Sequence, residues 1–161
     1  YMRDKYLSVF NFDLFLHMKD EELRRDVSLF GTVRYYNKAD QLHREGGPAV
    51  ICVNGHKEWF IKGARHRTDG PAVEYDNEDK AWYQNGKLHR LDGPAYEGAN
   101  GEREWRIEGK LHRMDGPAIE YSDGSKQWWI DGKYYRTEEE WLYARCPSIE
   151  TLKEMFKEVQ S

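Results

Sequence analysis

The sequence has little of what would mark a disulfide-stabilised, membrane-bound or nucleic-acid-binding protein. Its only two cysteines, Cys52 and Cys146, lie far apart in the chain and form neither a metal-binding pair nor a disulfide framework. Acidic and basic residues number 29 and 25, so composition creates no general attraction to nucleic acid or to anionic membranes. These absences predict a cytoplasmic protein in a reducing compartment.

Long apolar runs are also missing. No stretch approaches the roughly 20 residues that a membrane-spanning helix needs. The most apolar segment, residues 6–18, is interrupted by Asn11, Asp13 and His17, and it lacks the small-residue cleavage pattern of a signal peptide. We therefore expect neither a membrane span nor a signal peptide in this chain, whose 161 residues favour a single domain.

Sequence signatures of catalysis are missing as well. The chain has no phosphate-binding glycine loop ahead of a helix, no nucleophile elbow and no His-Glu-x-x-His motif. His and Asp do recur together, but as identical repeated pairs, whereas catalysis needs one preorganised, asymmetric site. We expect the protein not to be an enzyme and to use no cofactor.

The chain does contain one phrase, His-Arg-x-Asp/Gly-Gly-Pro-Ala, four times at a constant interval. The copies begin at His43, His66, His89 and His112, which gives a period of 23 residues. A fixed period of this size is the signature of a repeat architecture. Repeat arrays present extended, ladder-like surfaces, which usually serve binding.

Each copy divides into strand, turn, strand and turn. The first strand follows the proline, as in residues 71–75 and 117–121, and a polar turn such as Asn54-Gly55 comes next. The second strand carries Trp followed in most copies by another aromatic residue, and a second turn such as Asn85-Gly86 leads to the next copy. Asn-Gly tolerates the positive φ of tight hairpin turns. The pattern predicts a mainly β fold, an antiparallel meander of β-hairpin repeats.

The recurring tryptophans are predicted to form the core, because burial of a large aromatic side chain is strongly favourable. They occupy equivalent positions in the four copies, at Trp59, Trp82, Trp105 and Trp128. In the third copy Arg106 replaces the aromatic residue that follows the tryptophan, so we expect that position to be accessible to solvent.

The two ends of the chain depart from the repeat. Residues 1–34 are predicted to form a partly helical cap, with a helix from Asp20 through Phe30 that ends at Gly31, and residues 35–136 to form the array. Tyr36 stands one period before Trp59, so residues 33–37 are predicted to be a degenerate opening strand.

Residues 137–161 are predicted to be a C-terminal helical cap. Thr137 and Glu140 have the spacing of a capping box, which predicts a short helix as far as Arg145. After Cys146 and Pro147 break it, four apolar residues fall on one helical stripe. They are Ile149, Leu152, Phe156 and Val159.

The polar residues of the phrase suit a turn, in which glycine can take a positive φ and proline fixes the entry to the next strand. Arg is expected to pair with the Asp of its own or a neighbouring copy. If this pairing is essential to each turn, the first copy, in which Gly46 replaces Asp, should be the loosest. Equivalent histidines lie two strands apart, roughly 10 Å, so they cannot share a zinc ion, and we expect no metal site. The alternative is anion binding by three guanidinium groups, those of Arg67, Arg90 and Arg113.

The phrase, with its aromatic pair and Asn-Gly-Lys, resembles the hairpin repeats of tailed-phage and giant-virus proteins. These are similar to the membrane occupation and recognition nexus (MORN) repeats, which share the period and the hairpin plan. The resemblance covers residues 35–143 and implies a MORN-like, non-enzymatic interaction module. It further implies a viral protein that binds and inhibits a host factor, such as a defence protein, in the host cytoplasm. The glycine-rich nexus consensus is not matched, so we do not expect association with lipids.

Three functions remain open from the sequence. The first is a protein–protein interaction module, with Arg106 and Trp129 as partner-binding anchors, since Arg and aromatic residues dominate interface hot spots. The second is a binder that sequesters a phosphorylated nucleotide through Arg67, Arg90 and Arg113. The third is a structural protein that self-associates through an uncovered sheet edge.

Overall fold

A computed structural model describes residues 23–146, which are mainly β with one short helix. The described chain divides into two compact units, with the boundary between His89 and Arg90. The helix is too short and too polar to cross a membrane, and the described residues contain no other candidate span. The prediction of an antiparallel hairpin meander is confirmed.

The first unit contains ten strands. Six of them form an antiparallel sheet in the order β1 (Arg24–Val27), β2 (Val33–Tyr36), β3 (Val50–Ile51), β4 (Lys57–Glu58), β7 (Val73–Glu74) and β8 (Lys80–Ala81). The other four form two separate hairpins, which are β5 (Phe60–Ile61) with β6 (Ala64–Arg65) and β9 (Tyr83–Gln84) with β10 (Lys87–Leu88).

The second unit repeats this plan with seven strands and a helix. Its sheet has the order β11 (Tyr96–Glu97), β12 (Arg103–Glu104), β15 (Ile119–Glu120), β16 (Lys126–Ile130) and β17 (Lys133–Tyr135). The separate hairpin is β13 (Arg106–Ile107) with β14 (Lys110–Leu111), and helix α1 (Glu138–Arg145) follows β17.

In the first three copies the second strand of the predicted hairpin is interrupted at its tryptophan. The backbone N–H of Trp59 donates to the carbonyl of Ala72, whereas the carbonyl of Trp59 accepts from the N–H of His66. The chain therefore leaves the sheet at this residue and enters the separate hairpin β5–β6. In the fourth copy β16 runs through Trp128 and Trp129 without a break.

The repeats bury alanine, valine and isoleucine residues rather than their recurring tryptophans. The four alanines that end the phrase are fully buried: Ala49, Ala72, Ala95 and Ala118. Ala49 donates a hydrogen bond to Glu58 on one side and accepts one from Tyr35 on the other, so neighbouring segments close on both sides of it. The prediction of a tryptophan core is wrong, because the repeated tryptophans are only half-buried.

The second turn of each copy has two successive residues with positive φ, as type I′ hairpins require. Asn85 and Gly86, for example, have φ of 51° and 80°. The Asn-Gly turn predicted from the sequence is therefore confirmed, and Lys62, Glu108 and Asp131 adopt the same conformation as Asn85 in the other copies.

The N-terminal helix predicted through Phe30 is wrong over Arg24–Val27, which form β1 in register with β2. Gly31, interpreted as a helix stop, has φ 78° in the turn between these strands. Pairing with β2 satisfies the backbone of the segment in a way that a short isolated helix cannot match. The carbonyl of Tyr35, not Tyr36, accepts from the next His, so Tyr35 is the structural equivalent of Trp59. The remainder of the predicted N-terminal cap lies outside the described residues.

The C-terminal helix is confirmed over Glu138–Arg145. Thr137 Oγ1 accepts from the backbone N–H of Glu140, while the Glu140 carboxylate accepts from that of Arg136. The helix packs against β16 and β17 and buries Trp141, whose Nε1 donates to the carbonyl of Arg113 at 3.2 Å. The predicted apolar stripe of residues 149–159 lies outside the described residues.

Candidate functional site

The arginine of each complete phrase is held in one repeated arrangement, which we call the arginine clamp. Nε of Arg67 donates to Asp69 at 2.9 Å, and Nη1 donates to the carbonyl of Pro71 at 3.1 Å and to Glu74 at 3.2 Å. Arg90 and Arg113 repeat all three contacts with distances of 2.8–3.3 Å. The three arginines predicted to bind anions thus already bind two carboxylates each.

The guanidinium group of the clamp lies between an aromatic ring and a glycine. Cζ of Arg67 is 4.1 Å from the ring centroid of Trp59, within the range of a cation–π interaction. On the other side, a Cβ atom at Gly70 would lie 2.9 Å from Cζ of Arg67. The glycine is therefore needed for space and not for a positive φ, because Gly70 is not among the positive-φ residues.

The clamp also controls the ionisation of its exposed carboxylate. A hydrogen bond from Arg67 is the largest influence that holds the pKa of Asp69 below its ordinary value. Arg90 and Arg113 lower the pKa of Asp92 and Asp115 in the same way. The carboxylates consequently remain charged into the acid range, and each clamp is a charge-assisted contact.

The histidine of the phrase joins its copy to the following type I′ turn. Nδ1 of His43 accepts a hydrogen bond from the backbone N–H of Lys62, and Nδ1 of His66 accepts one from Asn85. His112 makes the equivalent contact with Asp131. Over residues 23–146, no group of three or more His, Cys, Asp or Glu side chains has the arrangement of a metal site.

The predicted anchors Arg106 and Trp129 occupy equivalent positions in successive copies, directly after Trp105 and Trp128. The Arg106 side chain is 25% exposed, and it donates to Glu104 at 2.7 Å and to the carbonyl of Gly109 at 3.0 Å. Trp129 is half-buried and donates from Nε1 to Gln127 at 3.1 Å. Each anchor is thus oriented by the side chain two residues earlier, a positioning role that sequence reasoning missed.

Sequence reasoning also missed an exposed position inside the phrase itself, the x between Arg and Asp. We call these four residues the turn row: Glu45, Thr68, Leu91 and Met114. All four are exposed, and the side chains of Leu91 and Met114 are 78% and 45% accessible although both are apolar. One signal in the sequence could have revealed the turn row. This position varies among the four copies, whereas the rest of the phrase is nearly constant.

The first copy has an incomplete clamp. Gly46 and Ile51 stand where the later copies have Asp and Glu, and Nε of Arg44 is buried without a hydrogen-bond partner in the described part of the chain. Arg44 lines a cleft of about 410 Å³ together with residues of the second copy, among them Trp59, His66, Arg67 and Asp69.

Comparison of the chain with protein-family models finds no match, and comparison with curated proteins finds no significantly similar sequence.

Proposed function

We propose that this protein binds another protein through side chains displayed on its repeated turns and hairpins, and that it catalyses no reaction. The observation that carries the proposal is the turn row, in which different exposed side chains stand on an otherwise repeated frame. Repeat proteins recognise partners in this manner, with a constant scaffold and variable surface positions.

The frame gives the turn row a rigid backbone. Leu91 lies between Arg90 and Asp92, whose side chains are joined by a hydrogen bond of 2.9 Å, and Met114 lies between Arg113 and Asp115 in the same way. Because the Arg–Asp hydrogen bond of each clamp joins the residues on either side of the displayed residue, the backbone of that residue has little freedom left to lose when a partner binds.

Two apolar members of the turn row lie in the second unit. Leu91 and Met114 occupy equivalent positions of adjacent copies, which are separated by two strands, or roughly 10 Å. Arg145 of α1 donates to the carbonyl of Met114 at 2.7 Å and so braces this turn from the helix. Exposed apolar residues in a fixed arrangement are suited to the desolvated centre of a protein interface.

Arg106 and Trp129 are proposed as a second set of anchors. Their side chains are held by Glu104 and Gln127, so both are oriented before a partner arrives. From the resemblance to phage and giant-virus repeats, we further propose that the partner is a host protein, with inhibition of a defence factor as the consequence.

The nucleotide-binding alternative has less support. It requires the guanidinium groups of Arg67, Arg90 and Arg113 to be available, whereas each one already binds an Asp, a Glu and a carbonyl oxygen. The self-association alternative requires a bare sheet edge. The edge strand β1 is blunted by charged residues at Arg24, Arg25 and Asp26, which disfavours strand addition.

The test begins with capture from a bacterial lysate and identification of stoichiometric partners by mass spectrometry. Affinity for the purified partner is then measured for Leu91→Ser/Met114→Ser and for Arg106→Ala/Trp129→Ala, with Thr68→Ala as the matched turn-row control. We expect at least one pair to weaken binding by about a hundredfold, the loss of a hot spot. Unchanged affinity in both pairs would contradict the placement, and a nucleotide that raises the melting temperature would favour the alternative.

A further inference from the structure

The first copy of the repeat retains every part of the arginine clamp except its two carboxylates. Arg44 lies 4.1 Å from the ring centroid of Tyr35, and its Nη1 donates to the carbonyl of Pro48 at 3.3 Å. Gly47 leaves space against the guanidinium group, as Gly70 does in the second copy. The arginine is therefore held in the clamp position without the acidic residues that complete it elsewhere.

The missing groups leave an unsatisfied donor and an open volume. Nε of Arg44 is the atom that corresponds to the Asp-binding Nε of Arg67, and it has no acceptor among the described residues. A Cβ atom at Gly46 would meet no other atom within 4 Å, so the turn leaves open space at this residue, whose φ of 76° none of the corresponding Asp residues adopts. A buried guanidinium N–H without an acceptor is costly, which favours binding of an acceptor from outside.

We infer that Arg44 receives the carboxylate of an aspartate or glutamate side chain from the partner protein, which completes the first clamp in trans. The inference rests on the proposed protein-binding function and adds the chemistry of one contact. Carboxylate is the group that three other copies place on this guanidinium position, at Nε···O distances of 2.8–2.9 Å.

The charge of the cleft favours a carboxylate over a phosphate dianion. Arg44 and Arg67 bring two positive charges, and Arg67 already binds the carboxylates of both Asp69 and Glu74. The guanidinium group of Arg44 is therefore the one left, and its single positive charge matches a ligand with a single negative charge. The cleft of about 410 Å³ accommodates an acidic side chain with its neighbouring backbone.

The probe is a blocked tripeptide, acetyl-Gly-Asp-Gly-amide, added to the full chain while the Nε–Hε resonances of arginine are followed by NMR. We expect a saturable shift of the Arg44 resonance, with the Arg113 resonance unmoved because its Nε is occupied by Asp115. The matched peptide with Asn in place of Asp should give no shift. Inorganic phosphate is the second arm, and tighter binding of phosphate than of the Asp peptide would overturn the carboxylate assignment.

Two substitutions complete the test. Ile51→Glu places a carboxylate at the position that Glu74 holds in the second copy, so it should weaken peptide binding by about tenfold and raise the melting temperature. Ile51→Gln is its uncharged control. Arg44→Lys assigns the responding signal, because the shifted Nε–Hε resonance should be missing from this variant and should remain in Arg113→Lys. No shift in the unmodified protein would overturn the inference, and loss of partner capture alone would not, since the peptide assay needs no partner.

Discussion

Gly70 lies directly against the guanidinium group of Arg67, so close that a Cβ atom there would be 2.9 Å from Cζ of the arginine. The same approach occurs between Gly93 and Arg90 and between Gly116 and Arg113, at 2.9 and 3.0 Å. Because the opposite face of Arg67 is covered by Trp59, the guanidinium group cannot move away from a larger residue without losing its ring contact. The glycine is thus a packing requirement of the clamp.

Substitution of Gly70 by alanine should lower the free energy of unfolding by about 1–3 kcal/mol, the usual cost of forcing an extra carbon into a packed site. Chemical denaturation followed by tryptophan fluorescence measures it. Gly55, with φ 96° and open space around it, provides the contrast. Asparagine, which tolerates the left-handed region, should be accepted at Gly55 and rejected at Gly70. Equal losses at both positions would contradict the packing explanation.

The free energy of unfolding should decrease as the pH is lowered through the acid range. The pKa values of Asp69, Asp92 and Asp115 are lowered, chiefly by hydrogen bonds from their arginines. The unfolded chain therefore binds more protons than the folded one between the ordinary Asp pKa, about 4, and the lowered values. The stabilisation is complete above that ordinary value and disappears as pH falls through the lowered ones.

The matched variant for this pH dependence is the triple substitution of Asp69, Asp92 and Asp115 by Asn. It should be less stable than the unmodified protein at neutral pH and should lose less stability on acidification. Denaturant titrations at several pH values from neutral to acid provide the measurement. Parallel pH profiles for the two proteins would show that the clamp carboxylates do not cause the acid sensitivity.

Trp141 should account for most of the free energy of unfolding that helix α1 contributes. Its side chain is 2% exposed, and its Nε1 bonds to the carbonyl of Arg113, so Trp141→Ala should cost about 3–5 kcal/mol. Trp141→Phe keeps most of the apolar contact but loses the hydrogen bond, and should cost less. Leu142→Ala, at a neighbouring position that is 38% exposed, is the control and should have a small effect on the melting temperature.

The four buried alanines that end the phrase should not tolerate larger side chains. Ala72 is fully buried, and its carbonyl accepts from the N–H of Trp59 at 2.8 Å. The packing around this residue therefore leaves no free volume for a leucine side chain. We expect Ala72→Leu to destabilise the fold by about 1–3 kcal/mol or more. Ala99→Leu, at an exposed turn position, is the matched control. A stable Ala72→Leu variant would mean that the strands separate easily, contrary to the observed packing.

Much of the architecture was predictable because it depends on local chemistry. The period of 23 residues, the Asn-Gly turn at Asn85 and the capping box at Thr137 each involve residues close in sequence, and the structure confirms the hairpins and the helix. The prediction of a helix in the N-terminal segment failed because the charged and apolar residues of this segment are compatible with either helix or strand. The available edge of β2 decided in favour of the strand.

The candidate site was likewise predictable only where it depends on residues close in sequence. The phrase identified Arg67, Arg90 and Arg113 and predicted that each pairs with an Asp, which the structure confirms within each copy, but it did not indicate that each would also bind a Glu seven residues later. The exposed turn row and the orientation of Arg106 by Glu104 became visible only with the side chains in place.

The sequence by itself determined the repeat, its hairpin turns and the substitution of Gly46 for aspartate, because these are properties of neighbouring residues along the chain. Only the tertiary structure decided that the alanines of the phrase, and not the recurring tryptophans, are fully buried, that glycine is needed against the arginine, and that Nε of Arg44 lies buried without an acceptor in the described residues. The physical reason is that burial and unsatisfied donors depend on which atoms of distant residues fill the surrounding space, and one-dimensional spacing does not specify those atoms.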